Sequence, residues 1–281
     1  MKRWLFMPLL LLAGCGGAEI EAPPEVPMPP RTIHAPAPRV RQVRAASLKE
    51  TDEEKPENVP SGKTAYITID DGPSETVTPR ILDILQEHGV KATFFVLPHT
   101  GADALYERIR KEGHAVGNHS YTHDYKRLYA EDDGAFFRED IRRAEAFLEE
   151  KFGVRPKLFR FPGGSASWNA NTIARRVEIL EELGYRHFDW DASTGDTAPA
   201  PESRNPEVLT ANVMAKTADR DKLIILMHDS PNKTPTAEAL PEIIRRLKAE
   251  GYEFDTLENH EDARYKEAGA RIHAPGLFVK I

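Results

Sequence analysis

Apolar positions along this chain follow two periods, and the places where one gives way to the other mark its elements. Short β-rich runs, such as Tyr-Ile-Thr-Ile at 66–69 and Thr-Phe-Phe-Val at 93–96, are separated by stretches in which apolar residues return every three to four positions. This pattern predicts strands over 66–69, 92–97, 115–117, 157–161, 186–190, 223–227 and 253–257. It predicts helices over 78–88, 104–111, 133–152, 172–183, 208–218 and 237–250. Within 133–152, Phe136, Ile141, Ala144 and Phe147 are expected to face inward. Strands alternating with helices over short links mean parallel strands joined by right-handed crossovers. About seven such units in roughly 200 residues suit a (β/α) barrel slightly smaller than the eight-unit form, with a doubly wound open sheet as the alternative.

The periods start only near residue 63. Residues 15–62 hold nine of the 22 prolines and have no apolar rhythm, so they are expected to form a disordered, Pro-rich tether. Ahead of the tether, Met1-Lys2-Arg3 precedes an apolar run over 4–13 that is too short for a membrane-spanning helix, which needs about 20 residues. It reads as a secretory signal over 1–14. Leu12-Ala13-Gly14-Cys15 resembles the lipobox of bacterial lipoproteins, which makes Cys15 the expected lipidation site. Cys15 is the only cysteine, so disulfides and multi-thiolate metal sites within one chain are excluded. The expected organisation is a signal peptide over 1–14, a tether over 15–62, a catalytic domain over 63–260 and a C-terminal tail over 261–281. A formal charge of -7 without a basic block argues against nucleic acid as a partner.

In parallel α/β folds, chemistry gathers at the C-terminal ends of the strands. Several predicted strands deliver polar groups there: Asp70 and Asp71, His119 and His123, Arg160, Asp196, and His228. His119 and His123 are four apart, so one helical turn would put both imidazoles on one side. Two imidazoles and one aspartate form the open three-ligand set of a catalytic metal, which lowers the pKa of a bound water towards about 7. The adjacent aspartate is then free to act as general base, and a histidine from the opposite side of the barrel as general acid. Together these groups could hydrolyse an amide or an ester.

Five short motifs, in order, resemble those of the polysaccharide deacetylases of carbohydrate esterase family 4, which share the NodB homology domain. They are Thr-Ile-Asp-Asp-Gly-Pro at 68–73, His-Ser-Tyr-Thr-His at 119–123, Arg-Phe-Pro-Gly-Gly at 160–164, the run from Trp190 to Asp196, and Leu-Met-His at 226–228. The resemblance implies a distorted (β/α)7 barrel. It makes Asp70 the catalytic base, Asp71, His119 and His123 the metal ligands, Arg160 the partner of the base, His228 the general acid and Asp196 its tuning partner. A divalent metal is implied, zinc first, with cobalt or nickel as alternatives. The implied substrate is an N-acetylated glycan polymer. With an anchor at Cys15 placing the enzyme outside the membrane and facing the cell wall, peptidoglycan N-acetylglucosamine leads. Chitin-type, exopolysaccharide or xylan substrates are the rivals, as is a catalytically inactive carbohydrate-binding lipoprotein. The chain is expected to be a monomer.

The chain departs from the family pattern in places. Ile69 replaces a phenylalanine, and Thr197 stands where tryptophan is common. Gly163 replaces a tyrosine; it keeps a backbone N–H for an oxyanion but loses a wall of the substrate groove. Pro162 is a candidate for the backbone hydroxylation found in some relatives. Tyr121, Tyr125 and Trp168 are candidate groove residues, while His88, His99, His114, His187 and His260 carry no motif and are expected at the surface or in support.

Overall fold

A computed structural model describes residues 62–98, 101–153 and 155–261, all within one compact unit spanning residues 57–281. The expected signal peptide, Cys15, and nearly all of the tether and of the tail lie outside the described residues, as does His99. Among the described residues, no helix is long and apolar enough to cross a membrane.

The elements are β1 (Thr64–Asp70), α1 (Thr78–His88), β2 (Thr93–Val96), α2 (Asp103–Lys111), β3 (Ala115–Asn118), α3 (Tyr125–Leu128), α4 (Ala135–Phe152), β4 (Leu158–Phe159), α5 (Ala170–Glu182), β5 (Arg186–His187), β6 (Ala192–Ser193), α6 (Pro206–Met214), β7 (Lys222–His228), α7 (Thr234–Ala249) and β8 (Glu253–Phe254). All strand pairs are parallel and run in the order β5-β4-β3-β2-β1-β7-β6, with β8 paired to the start of β1. The result is a curled half-barrel wrapped by helices, the distorted barrel the motifs imply.

β1 shows how the pleat sorts its side chains. Ala65, Ile67 and Ile69 are buried in the larger apolar cluster, together with Ile81, Leu82, Leu240 and Ile243 of α1 and α7. Tyr66, Thr68 and Asp70 alternate with them; Tyr66 joins Phe95, Leu158, Phe188 and Leu257 in a small aromatic cluster inside the barrel. Phe95 fits there because its cross-strand partner is Gly117, where a Cβ would lie 2.3 Å from the Phe95 ring.

The structure corrects three expectations. The single strand expected over 186–190 is instead β5, on one edge of the sheet, followed by β6 on the opposite edge. Residues 188–191 bridge the two edges, and the N–H groups of Phe188 and Asp191 bond to Phe159 and Ile224 respectively. Residues 119–123 are a loop rather than a helical turn, because β3 ends at Asn118 and α3 starts only at Tyr125. On α4 the buried positions are Phe137, Asp140, Ile141, Ala144, Leu148 and Phe152, while Phe136 and Phe147 are half-buried at its flanks.

Candidate active site

Asp70 is the last residue of β1, and its cross-strand partner at the end of β7 is His228. The expectation of a histidine from across the barrel is therefore corrected: the acid candidate stands on the strand next to the base candidate.

Asp70 is buried against a fully buried Arg160, whose Nη1 donates to Asp70 Oδ1 at 3.0 Å and to Thr68 Oγ1 at 2.6 Å. The remaining guanidinium nitrogens are also engaged. Nε bonds to the Phe188 carbonyl at 3.0 Å and Nη2 to that of Asp189 at 3.1 Å, and the group lies 4.3 Å above the Phe95 ring. Arg160 thus serves carbonyls of the bridging segment, where the ladder of strands is broken. A buried cation held by four hydrogen bonds, at least one from each nitrogen, keeps Asp70 in one place.

Asp71, His119 and His123 meet beside it. His119 Nε2 and His123 Nε2 lie 3.6 Å and 3.5 Å from Asp71 Oδ1. A tetrahedral ion with bonds near 2.1 Å sets its donors about 3.4 Å apart, so this trio suits a zinc-like cation. Among the described residues it is the one group of three such donors that converges. The tautomer of His119 is set as well: its Nδ1 lies 3.0 Å from the Arg160 carbonyl and donates to it, leaving the Nε2 lone pair for a metal. Burial and the neighbouring His119 lower the pKa of His123, favouring the neutral ligand form. Burial alone would raise the Asp71 carboxyl, but the neighbouring imidazoles, His119 first, outweigh it and hold it well below its usual range.

The backbone at these ligands is unusual. Asp71, Ser120 and His123 have φ of 79°, 77° and 52°. Such left-handed conformations persist in residues other than glycine where the surroundings over-determine them. Here buried Asp140 of α4 accepts the N–H of Tyr121 at 2.6 Å, the N–H of Thr122 at 3.1 Å and the Thr122 hydroxyl at 2.6 Å. Asn118 accepts the Ser120 N–H, and Ser120 Oγ accepts that of His123.

At the other end of the site, His228 Nδ1 lies 2.8 Å from Asp196 Oδ1, and Thr236 Oγ1 and the His228 N–H bond to Asp196 Oδ2. Burial opposes charge on His228, yet the Asp196 carboxylate more than offsets it, and the imidazole pKa is raised. Asp196 is lowered by the same pairing against its own burial. The dyad leaves His228 Nε2 as the nitrogen able to give a proton away.

Trp168 and Tyr125 answer the expectation that Gly163 costs the groove a wall. A Cβ at Gly163 would lie 3.5 Å from the Trp168 ring and 3.7 Å from that of Tyr125, so aromatic surface from α3 and from the segment ahead of α5 fills this place. Tyr125 is the one exposed large hydrophobic residue among those described. Tyr129 stacks on Trp168 at 4.1 Å, and both donate to the Pro162 carbonyl, at 2.8 Å and 3.3 Å. Tyr121 is placed differently: its ring packs against the Arg143 guanidinium at 3.7 Å. A cavity of about 510 Å3 opens beside Asp71 and His123, lined also by Glu75, Thr76 and Ser230.

Among the histidines without a motif, His114 is buried with Phe94 rather than exposed, and burial lowers its pKa to about 4. His260 packs on the rings of Tyr66 and Phe188. Asp140 and Asp229 escaped the sequence reading. The signal for Asp140 was there, since it is an acid beside Ile141 on the apolar stripe of α4. Asp229 is marked only by following His228.

Known proteins resemble this chain in sequence and in fold. The sequence profile of the polysaccharide deacetylase family matches residues 57–188. The putative polysaccharide deacetylase YheN of Bacillus subtilis is 35% identical over 205 residues, which cover 70% of this chain and 68% of that protein. The peptidoglycan-N-acetylglucosamine deacetylase PgdA of Listeria monocytogenes is 32% identical over 83% of this chain, which spans only 48% of its length. Among solved structures, the catalytic domain of peptidoglycan N-acetylglucosamine deacetylase from Eubacterium rectale superimposes with a TM-score of 0.63 at 30% identity, covering 69% of this chain and 88% of that one. The chain belongs to the polysaccharide deacetylase family.

Proposed function

We propose that this family member hydrolyses the N-acetyl groups of peptidoglycan N-acetylglucosamine, using a divalent cation, zinc in the first instance, held by Asp71, His119 and His123. The observation that carries this reading is the convergence, at one end of one sheet, of the three-donor cradle, the Asp70–Arg160 pair and the Asp196–His228 dyad. The family relatives named above as peptidoglycan deacetylases support the choice of polymer.

When bound, the cation supplies a Lewis acid that polarises the acetyl carbonyl and makes a water more acidic. Asp70 takes the proton from the attacking water; Arg160 occupies Oδ1, and Oδ2 lies on the His119 side, 3.8 Å from its Nε2. The carbonyl oxygen gains charge as the water oxygen adds to carbon. We assign its stabilisation to the N–H of Gly163, whose peptide plane is fixed because the Pro162 carbonyl is held by Tyr129 and Trp168. His228 protonates the departing nitrogen, the C–N bond breaks, and acetate and a free amine result. Tyr125 and Trp168 offer ring faces for the sugar.

Acetate release by the purified protein from peptidoglycan and from chitin oligomers, before and after chelation and zinc add-back, tests this. Metal-dependent release with peptidoglycan preferred is expected; no acetate from any glycan with zinc bound overturns it. Membrane attachment through Cys15 is part of the same proposal, and Cys15→Ser is expected to release the protein from the membrane fraction.

A further inference from the structure

Asp229 is a fully buried acid that the chemistry above leaves unused. It follows His228, where the end of β7 faces the loop leaving β1. Its Oδ2 accepts a hydrogen bond from Thr78 Oγ1, and the same Thr78 oxygen accepts the backbone N–H of Ser74 at 2.7 Å. Two main-chain links join the same segments: the Asp229 N–H donates to the Asp70 carbonyl at 3.2 Å, and Ser74 Oγ donates to the Asp229 carbonyl. Its Oδ1 has no hydrogen-bond partner among the described residues. The carboxyl is wedged under Gly72, where a Cβ would lie 2.1 Å from Oδ2 and 2.2 Å from Oδ1.

A buried carboxyl with one donor is costly to desolvate, and an apolar side chain could fill the same space without that penalty. What an apolar residue could not do is hold Thr78 and, through it, Ser74. The register of β1 on β7 ends at Asp70 and His228, and at Asp71 the backbone turns left-handed and leaves the sheet. Past that point the loop needs attachments other than a ladder, and the Asp229–Thr78–Ser74 chain supplies one.

We propose that Asp229 is a positioning residue, latching the 70–74 loop to the strand end that carries His228 and so setting the general base and general acid at a fixed separation. The proposal rests on the assignment of Asp70 and His228 above. Misplacement of a reacting group by about 1 Å can cost on the order of a hundredfold in rate.

The test compares Asp229→Ala, Thr78→Val and their double variant in the full-length, zinc-loaded protein, reading kcat, KM, metal content and Tm. Each single variant is expected to lower kcat by about 10- to 100-fold, with KM and metal content within about twofold of the parent. The double variant should be no worse than the weaker single, because both break one chain of contacts. Asp229→Asn keeps an oxygen for Thr78 and should restore kcat to within about fivefold of the parent. Multiplicative losses in the double variant, or a lowered Tm with unchanged kcat, would overturn the latch. Should Asp229→Ala not fold, Thr78→Val and Ser74→Ala carry the same test. A parent protein that releases no acetate counts against the proposed function. An active parent whose Asp70→Asn variant is dead while the latch variants keep full kcat counts against the latch alone.

Discussion

His228 ends a seven-residue strand in unbroken register with β1, whereas Asp71 and His123 sit in left-handed backbone outside any strand. The two halves of the site have different geometric tasks. A proton donor needs one nitrogen presented in one direction, and a strand end does that without distortion. A cation needs three donors converging on one point from two loops, which regular backbone does not provide. Three of the four described residues other than glycine with positive φ are therefore Asp71, Ser120 and His123. Each costs on the order of 1 kcal/mol, and in the histidine loop backbone N–H groups donating to Asp140, Asn118 and Ser120 hold the distortion in place. On the acid side the investment is electrostatic, in the carboxylate of Asp196.

The sharpest way to break this contrast is His119→Ala. Bound metal, read by elemental analysis, should fall to background and acetate release with it, while the Asp196–His228 pair stays intact. Asp70→Asn separates chemistry from binding: metal content should be unchanged and kcat lower by about 10²- to 10⁴-fold. Asp140→Ala touches no ligand directly, but it frees the loop between them. Zinc affinity, measured by competition with a chelating dye, should weaken by about 10- to 100-fold.

The smallest effect in rate, and the most informative for the acid half, is expected for Asp196→Asn. Asp196 raises the pKa of His228 against its burial, so its proton is held to higher pH than on a free imidazole and is lost as pH rises through the raised value. Removing the carboxylate leaves burial, which acts in the opposite direction. The alkaline limb of the kcat profile should therefore move to lower pH, with metal content unchanged. An unmoved limb would remove His228 from the acid role.

Much of the fold was readable where local signals suffice. α1 occupies the predicted 78–88, since Pro79 starts it and Gly89, at φ 65°, ends it. β1 and β7 are buried runs with few alternatives. Errors arose where an element is defined by its partners. β5 and β6 are two residues each and exist only because opposite edges of the sheet accept them. The four-residue spacing of His119 and His123 read as a helical turn, and the alignment it predicted is achieved by a loop that Asp140 ties down from α4.

The amino-acid order by itself determined the alternation of strands and helices, and hence that Asp70, His119, Arg160 and His228 would come to one rim, because parallel strands with short links leave no other arrangement. Its short motifs also carried the roles those residues were expected to have. Which strand lies beside which was decided only in three dimensions: it puts His228 next to Asp70 instead of across the barrel, Arg160 in the break between the sheet edges, and Asp229 under Gly72. These placements depend on contacts between residues 90 or more positions apart, as in the Arg160–Asp70 and Thr68–Ile225 hydrogen bonds. Local periodicity cannot encode them, since the closure of the barrel and the packing of its interior select the neighbours that each polar group meets.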